Sequence, residues 1–331
     1  MKHRLLTSAA AIAVINAAAV TVIPATAGAS PARHAVTATG PPSFVVVSQA
    51  SSLKVFNTST GAAAGTLNAP AGLQFQGVAS GGTSQRFLAY ANPASITAAC
   101  HAYYYRFQLA PTGKPSALTL LRSIPGSAAS AIAASPGGGG TYTYSAVHCH
   151  TAPPNGLIGI SGQAGNHTWA YDQADDYTFS LAATADADTL ALSLYAGSGW
   201  ASLLLNTDSS AATVDSASRI LPAVPYAQTL AISPGGATLY ACISSGPAGE
   251  LAAYSAATGN LIRVLHRWTL APARIYFCQV SADATGKVLL ASYSSNLTPR
   301  TSLIGINPQA GTAVKLPVQA DYIHDGVGAA W

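Results

Sequence analysis

A turn recurs along this chain of 331 residues at a nearly constant interval. Its opening residue falls at Ser80, Ser135, Thr184, Ser233 and Ser281, and its place in the final run falls at Ala330, giving intervals of 55, 49, 49, 48 and 49. A second marker, the glycine of a later turn, stands at Gly61, Gly113, Gly165, Gly259 and Gly311. Its intervals are 52, 52, 94 and 52, and the long one spans a unit in which "TDSSAAT" replaces the glycine turn. Two turns with one period mean a single structural unit repeated. Such a unit cannot bury an apolar face alone, so its copies must stack on one another.

Within a unit the apolar runs are short and bounded by Gly, Pro, Asn and Ser, which is the pattern of strands and tight turns. In "LAISPGGATLYACISSGPAGELAAYSAATGNLIRVLHRW" the pattern predicts strands over Thr229 to Ser233, Thr238 to Ile243, Leu251 to Ser255 and Leu261 to Trp268. Pro234 presets φ in the first turn, and the glycines after it accept positive φ cheaply. Four antiparallel strands in 40 to 50 residues make a β-propeller blade. The first strands, "GVAS", "IAAS", "LAAT" and "LAIS", carry the small residues that a crowded axis demands. Phe44 to Leu67 supplies three strands with no first strand before them, and the terminal "DGVGAAW" supplies a first strand with nothing after it. Joined, they make one blade and hide the sheet edges. The expectation is an all-β, six-bladed propeller of four-stranded blades closed by the two termini; a seventh blade would need another repeat.

Lys2, His3 and Arg4 followed by the apolar run Leu5 to Ile23 and by Ala25-Thr26-Ala27-Gly28-Ala29 read as a cleaved secretory signal over residues 1–29. The rival reading is an uncleaved anchor helix, which Ser8 and Asn16 weaken. Residues 30–42 read as a linker ending at Pro41-Pro42, and 43–331 as the propeller. The net charge of +4 includes Lys2 and Arg4, so processing lowers it to about +2, with Lys and Arg scattered along the chain. That excludes a nucleic-acid footprint. Charged residues are 8% of the chain, so Ser, Thr, Asn, Gln and Gly must build its surface, as suits a secreted, extracellular protein.

"SPGG" at Ser135 and Ser233, followed by an apolar strand and then a Thr-Gly turn, resembles the bacterial WD40-like propeller repeats of the TolB and YVTN type, whose usual turn is Ser-Pro-Asp-Gly. The likeness spans Ser43 to Trp331 and rests on short motifs. The chain departs from it at Gly137 and Gly235, where the family has Asp, and in "TADA" at Thr184 and "SADA" at Ser281. The resemblance implies binding, scaffolding or envelope roles, with enzymes a minority.

Four cysteines in an exported chain allow three pairings. Their blade register favours Cys100 with Cys149 and Cys242 with Cys278, each joining adjacent blades; the alternative is buried free thiols. The loops between second and third strands, and those from one blade to the next, share one face. His101, His148, His150, Asp172, Asp175, Asp176, Glu250, Asp321, Tyr322, His324 and Asp325 gather there. In an extended "HCH", His148 and His150 point to one side and could ligate zinc, with His101 as a third partner. "DQADD" at Asp172 to Asp176 could offer oxygens to calcium. In "YIHDG", His324 and Asp325 near the channel mouth are candidates for general-base work. The plainer reading of all three is solvated loops and a polar channel entrance, with no cofactor.

The Ser-x-Asp-x-Gly-x-Thr-Trp box of sialidases is missing, the inner strands lack the Asn, Asp and Glu set of calcium lactonases, and no Gly-x-Ser-x-Gly elbow occurs. The reading is therefore a monomeric, secreted, non-catalytic propeller that recognises a protein or glycan partner through its loop face. "HAYYYRF", His101 to Phe107, offers aromatics for sugar stacking or for packing between blades. The rival function is a metal-assisted hydrolase or lactonase working at the channel mouth.

Overall fold

A computed structural model of the chain describes residues 41–95, 100–137, 142–148, 157–161, 167–171, 177–196, 199–225, 227–245, 248–269, 275–295, 298–321 and 328–331. Three strands open it: β1 (Phe44–Gln49), β2 (Ser52–Asn57) and β3 (Ala63–Asn68). Next come β4 (Leu73–Ser80), β5 (Arg86–Pro93), β6 (His101–Gln108) and β7 (Thr119–Pro125), then β8 (Ser127–Ala134), β9 (Tyr142–His148), β10 (Leu157–Ser161) and β11 (Thr168–Ala170). The fourth group is β12 (Tyr177–Ala183), β13 (Thr189–Ala196), β14 (Gly199–Asn206) and β15 (Ser218–Ile220), with one helical turn, α1 (Val214–Ala217), before β15. The fifth is β16 (Ala227–Ile232), β17 (Thr238–Ser245), β18 (Ala248–Ser255) and β19 (Leu261–Thr269). The last is β20 (Ile275–Ala282), β21 (Leu289–Ser295), β22 (Thr298–Asn307) and β23 (Thr312–Lys315), followed by β24 (Ala320–Asp321) and β25 (Ala329–Ala330).

Hydrogen bonding sorts these strands into six antiparallel sheets. Five of them run in simple chain order from an inner to an outer strand, β24 adding a pairing to β22, and the remaining sheet has the order β25-β1-β2-β3. The inner strands touch in sequence: β4 packs on β8, β8 on β12, β12 on β16, β16 on β20, β20 on β25 and β25 on β4. This is a β-propeller with four-stranded blades. Burial follows the radius. Val45, Val46 and Val47 of β1 and Phe87, Leu88, Ala89 and Ala91 of β5 are buried on both faces because each sheet is covered by two others, whereas β23 is exposed throughout.

The strands expected in the clearest unit coincide with β16 to β19 within three residues at either end. Its turn is also as read: Gly236 N–H donates to the Ser233 carbonyl at 2.8 Å, and the Ser233 hydroxyl accepts from Thr238 N–H at 3.0 Å. Gly236 has φ of +73°, where glycine alone is comfortable. The register differs in the last unit, where the equivalent turn opens on Asp283, two residues beyond Ser281, and is closed by Gly286 N–H to the Asp283 carbonyl at 2.9 Å. The Asp283 carboxylate takes the place of the serine hydroxyl by accepting from Val288 N–H at 3.0 Å. Either side chain satisfies the same backbone donor, so the turn survives the slip.

A feature without a sequence signature repeats in five inner strands. Their pairing with the second strand skips one residue, at Gln76, Ser130, Phe179, Gln228 and Tyr276. Each is a β-bulge, which bends the strand and re-aims the side chains on either side of it.

The two ends of the ring meet where expected. Val46 and Val47 of β1 stand opposite Ala330 and Ala329 of β25. Ser48 N–H donates to the Gly328 carbonyl at 3.0 Å, and Ala329 N–H to Gln279 Oε1 at 3.0 Å. A Cβ at Gly328 would lie 1.9 Å from Gln279 Oε1, so any larger residue there would displace the Gln279 amide from the seam. Trp331 is fully buried among Val45, Val47, Leu303 and Leu316.

Two stability outcomes follow from these contacts. Trp331→Ala should lower the unfolding free energy by about 3–5 kcal/mol, the range for emptying a buried tryptophan site, as read by urea denaturation. Ala187 holds φ of +67° in the turn opened by Thr184, at the place of Gly236. Ala187→Gly should therefore stabilise the protein by about 1 kcal/mol in the same measurement.

Candidate functional site

The inner strands surround an axial cavity of about 100 Å³. Its wall is mixed: Val78, Ala131, Leu181, Leu230 and Val280 come from five successive inner strands, and Ser80, Ser180, Ser281 and Asp283 stand among them. Gln279 lines the cavity too, and its amide oxygen accepts from Ala329 N–H at the closing seam. The polar groups between inner strands are bonded from one sheet to the next. Leu230 N–H donates to Ser180 Oγ at 2.9 Å, Cys278 N–H to Gln228 Oε1 at 2.7 Å, and Val280 N–H to Thr229 Oγ1 at 2.8 Å.

The densest polar cluster is a chain of buried hydroxyls across three sheets. The Tyr104 phenol of β6 donates to the Ser145 carbonyl of β9 at 2.7 Å. Ser145 Oγ lies 2.9 Å from Ser130 Oγ and 2.6 Å from Tyr171 Oη, and Tyr171 Oη is also bonded to the Thr178 hydroxyl of β12. Thr178 N–H donates to Tyr171 Oη at 3.1 Å. Bulges place the cluster, since Ser130 is the extra residue of β8 and Thr178 borders that of β12. Burial pushes both phenols above their ordinary pKa. For Tyr171, hydrogen bonds from Ser145 and Thr178 work against that rise; for Tyr104, the neighbouring Tyr171 and Tyr90 add to it and Arg122 opposes it. The cluster is thus neutral at physiological pH, and every member is bonded. It holds adjacent sheets in register and contains no acid–base pair.

His101, grouped with the loop face and read as the start of the run to Phe107, is the first residue of β6. Its ring stacks on Tyr103 with centroids 4.5 Å apart, and Tyr103 stacks on Tyr105 at 6.4 Å. Tyr104, Tyr105 and Phe107 are buried, and the exposed residues at the end of this strand are Arg106 and Gln108. Tyr104, Tyr105 and Phe107 therefore pack between blades, while His101 and Tyr103 are half-buried. His148 ends β9, opposite Ser127. Glu250 pairs with Arg267 at 3.3 Å, and Asp321 stands opposite Arg300. Cys149, His150, Asp172, Asp175, Asp176, Tyr322, His324 and Asp325 lie outside the described residues. Among the described residues no group of three or more His, Cys, Asp and Glu side chains could hold a metal ion.

Cys242 and Cys278 form the expected disulfide, with Cα atoms 5.7 Å apart, joining β17 to the inner strand of the next sheet. Both are fully buried, in a cluster that includes Trp268 and Tyr293, whose rings stack at 5.1 Å. Cys100 is also disulfide-bonded. Sequence reasoning missed a pair of outer-strand motifs, His167-Thr-Trp169 and His266-Arg-Trp268. In each the imidazole lies against the indole, at 4.6 and 5.6 Å, and the indole is buried toward the following blade. The His-x-Trp spacing at nearly two repeat lengths was its available signal. Burial lowers the pKa of His266, so this imidazole stays neutral near pH 7.

No family model matches the chain, and no curated protein does. Solved structures do. TolB from Acinetobacter baumannii superposes with a TM-score of 0.57 at 14% identity, over 87% of this chain and 65% of that one. The chain thus spans just under two thirds of that TolB, and the likeness is one of fold. A periplasmic gluconolactonase from Pseudomonas aeruginosa gives a TM-score of 0.49 at 12% identity, over 82% of this chain and 81% of that one. A functionally unknown protein from Desulfotomaculum acetoxidans gives 0.46 at 10%, over 82% and 78%. Among the described residues no helix is long and apolar enough to cross a membrane.

The buried phenols make stability pH-dependent in one direction. Tyr90, Tyr104 and Tyr171 have folded-state pKa values above the unfolded value of about 10, so above that pH the unfolded chain loses protons first. Their contribution is complete below about pH 10 and is lost as pH rises beyond it. Urea midpoints should be level up to there and then fall, with absorbance at 295 nm showing these phenols ionising only as the protein unfolds. Tyr171→Phe should cost about 1–3 kcal/mol at pH 7 by leaving buried hydroxyls unpaired.

Proposed function

We propose that this protein is an exported, non-catalytic, six-bladed propeller that binds a protein or glycan partner through the face carrying the blade-to-blade and second-to-third-strand loops, and that it works as a monomer. The observation that carries this reading is the use made of the interior. The axial wall is largely aliphatic with a few serines, Gln279 and Asp283, and buried hydroxyls, amides and cysteines such as Tyr104, Tyr171, Gln228 and the Cys242–Cys278 pair bind one blade to the next. Chemistry aimed at a partner is then left to the rim loops, the usual place for binding residues on a rigid scaffold. Export is supported by the basic and apolar N-terminal run and by a buried disulfide, which belongs to an oxidising compartment.

The test uses protein recovered from the culture medium. Native mass spectrometry with elemental analysis should find a metal-free monomer lacking residues 1–29. An array of cell-wall glycans and peptides should then identify a ligand whose binding falls at least about ten-fold when His148, His150, Asp175 and Asp176 are replaced by alanine. Turnover of lactones or esters that requires calcium or zinc, and that disappears in His324→Ala or Asp325→Ala, would instead establish the hydrolase and sink this proposal.

A further inference from the structure

All eleven acidic residues of the chain lie at or after Asp172, and residues 1–171 contain no Asp or Glu. The first three sheets therefore carry Lys54, Arg86, Arg106, Lys114 and Arg122 with no carboxylate of their own. Three of these arginines share one face of the second sheet. Arg86 stands opposite Gln108, and Arg106 opposite Leu88 and Thr119, so Arg86, Gln108, Arg106 and Thr119 project to the same side. Arg122, higher on that face, lies over the Tyr144 ring at 5.6 Å. The other two guanidinium groups have no hydrogen-bonding or ionic partner among the described residues. Both are exposed and line a cleft of about 280 Å³ with Gln108, Ser116 and Thr119. Ser116 shapes it: its hydroxyl accepts from Gln108 N–H at 3.0 Å and donates to the Ala117 carbonyl at 3.1 Å.

We infer that this cleft is an oxyanion-binding site that takes a phosphate or sulfate group. Two like charges held on diagonal cross-strand positions repel each other until an anion lies between them. The guanidinium fork matches the oxygens of phosphate or sulfate in a bidentate way that a lysine cannot. The Gln108 amide and Thr119 hydroxyl add donors, and the sequence places no carboxylate on these sheets to repel the ligand. The cleft holds several times the roughly 30 Å³ share of one water, so it has room for the group to which the oxyanion is esterified. It lies at the end of the strands opposite the rim loops, and so is independent of the function proposed above.

Calorimetric titration at low ionic strength tests the site, with inorganic phosphate, inorganic sulfate, dextran sulfate and neutral dextran as probes. Wild type should bind the three anionic probes, more weakly as salt is added, and leave neutral dextran alone. Arg86→Gln and Arg106→Gln, both exposed and expected to keep the wild-type melting temperature, should each weaken binding about ten-fold or more. Arg106→Lys should lose most of that affinity because it keeps the charge and loses the fork. Lys54→Gln removes the same charge from the same half of the ring and should change binding less than about two-fold. Tighter capture of dextran sulfate than of the free ions would support an esterified ligand, and equal capture a free one. No binding of any anionic probe by wild type, or equal weakening by Lys54→Gln and Arg86→Gln, would overturn the inference.

Discussion

The ring depends on the pairing of its two ends. β25 gives β1 only the register Val46 with Ala330 and Val47 with Ala329, yet it places Trp331 in the core and lets Ala329 reach Gln279 on the neighbouring inner strand. Without it the first sheet would lose its inner strand, β20 and β4 would both lose a neighbour, and two sheet faces full of valine and leucine would be open to water. Contacts far apart in sequence must therefore form together, which makes closure the long-range step of folding.

A second constraint acts at each seam between sheets. Inner strands crowd around the axis, where alanines share the space with valines and leucines, and side-chain to backbone hydrogen bonds join one sheet to the next. Bulges accompany those bonds: Gln228 and its neighbour Thr229, and Ser180 beside the bulge at Phe179, reach the next sheet, while Ser130 bonds to Ser145 within its own. The Tyr171 cluster is the most developed case, tying three sheets through hydroxyls that stay neutral because they are buried. The Cys242–Cys278 bond does the same work covalently two seams further on.

Most of this architecture was legible in the residues. Turn spacing led to the strands, the orphan runs at either end led to the shared sheet, and blade register led to the Cys242–Cys278 pairing. The bulges were not legible, since an extra residue inside a strand of small apolar side chains changes neither composition nor period. The turn at Asp283 was misplaced because serine and aspartate offer the same acceptor to the turn. His101 was grouped with the loop face as well as with the run His101 to Phe107, and its alternation with Tyr103 and Tyr105 is what sets it in the strand. Reading charge as a total hid the most unequal feature of the chain, for scattered lysines and arginines look unremarkable until the carboxylates are found in one half alone.

That inequality makes the molecule an electric dipole. Residues 41–171 hold five basic and no acidic side chains, while residues 172–331 hold seven basic and all eleven acidic ones. A ring polarised across its diameter experiences a torque near any charged surface, and approaches an anionic one with the edge of its first three sheets leading. Its small net charge leaves the attraction weak at long range, so orientation, more than capture, is what the field supplies. Exchange resins of opposite sign would hold the same protein by opposite edges.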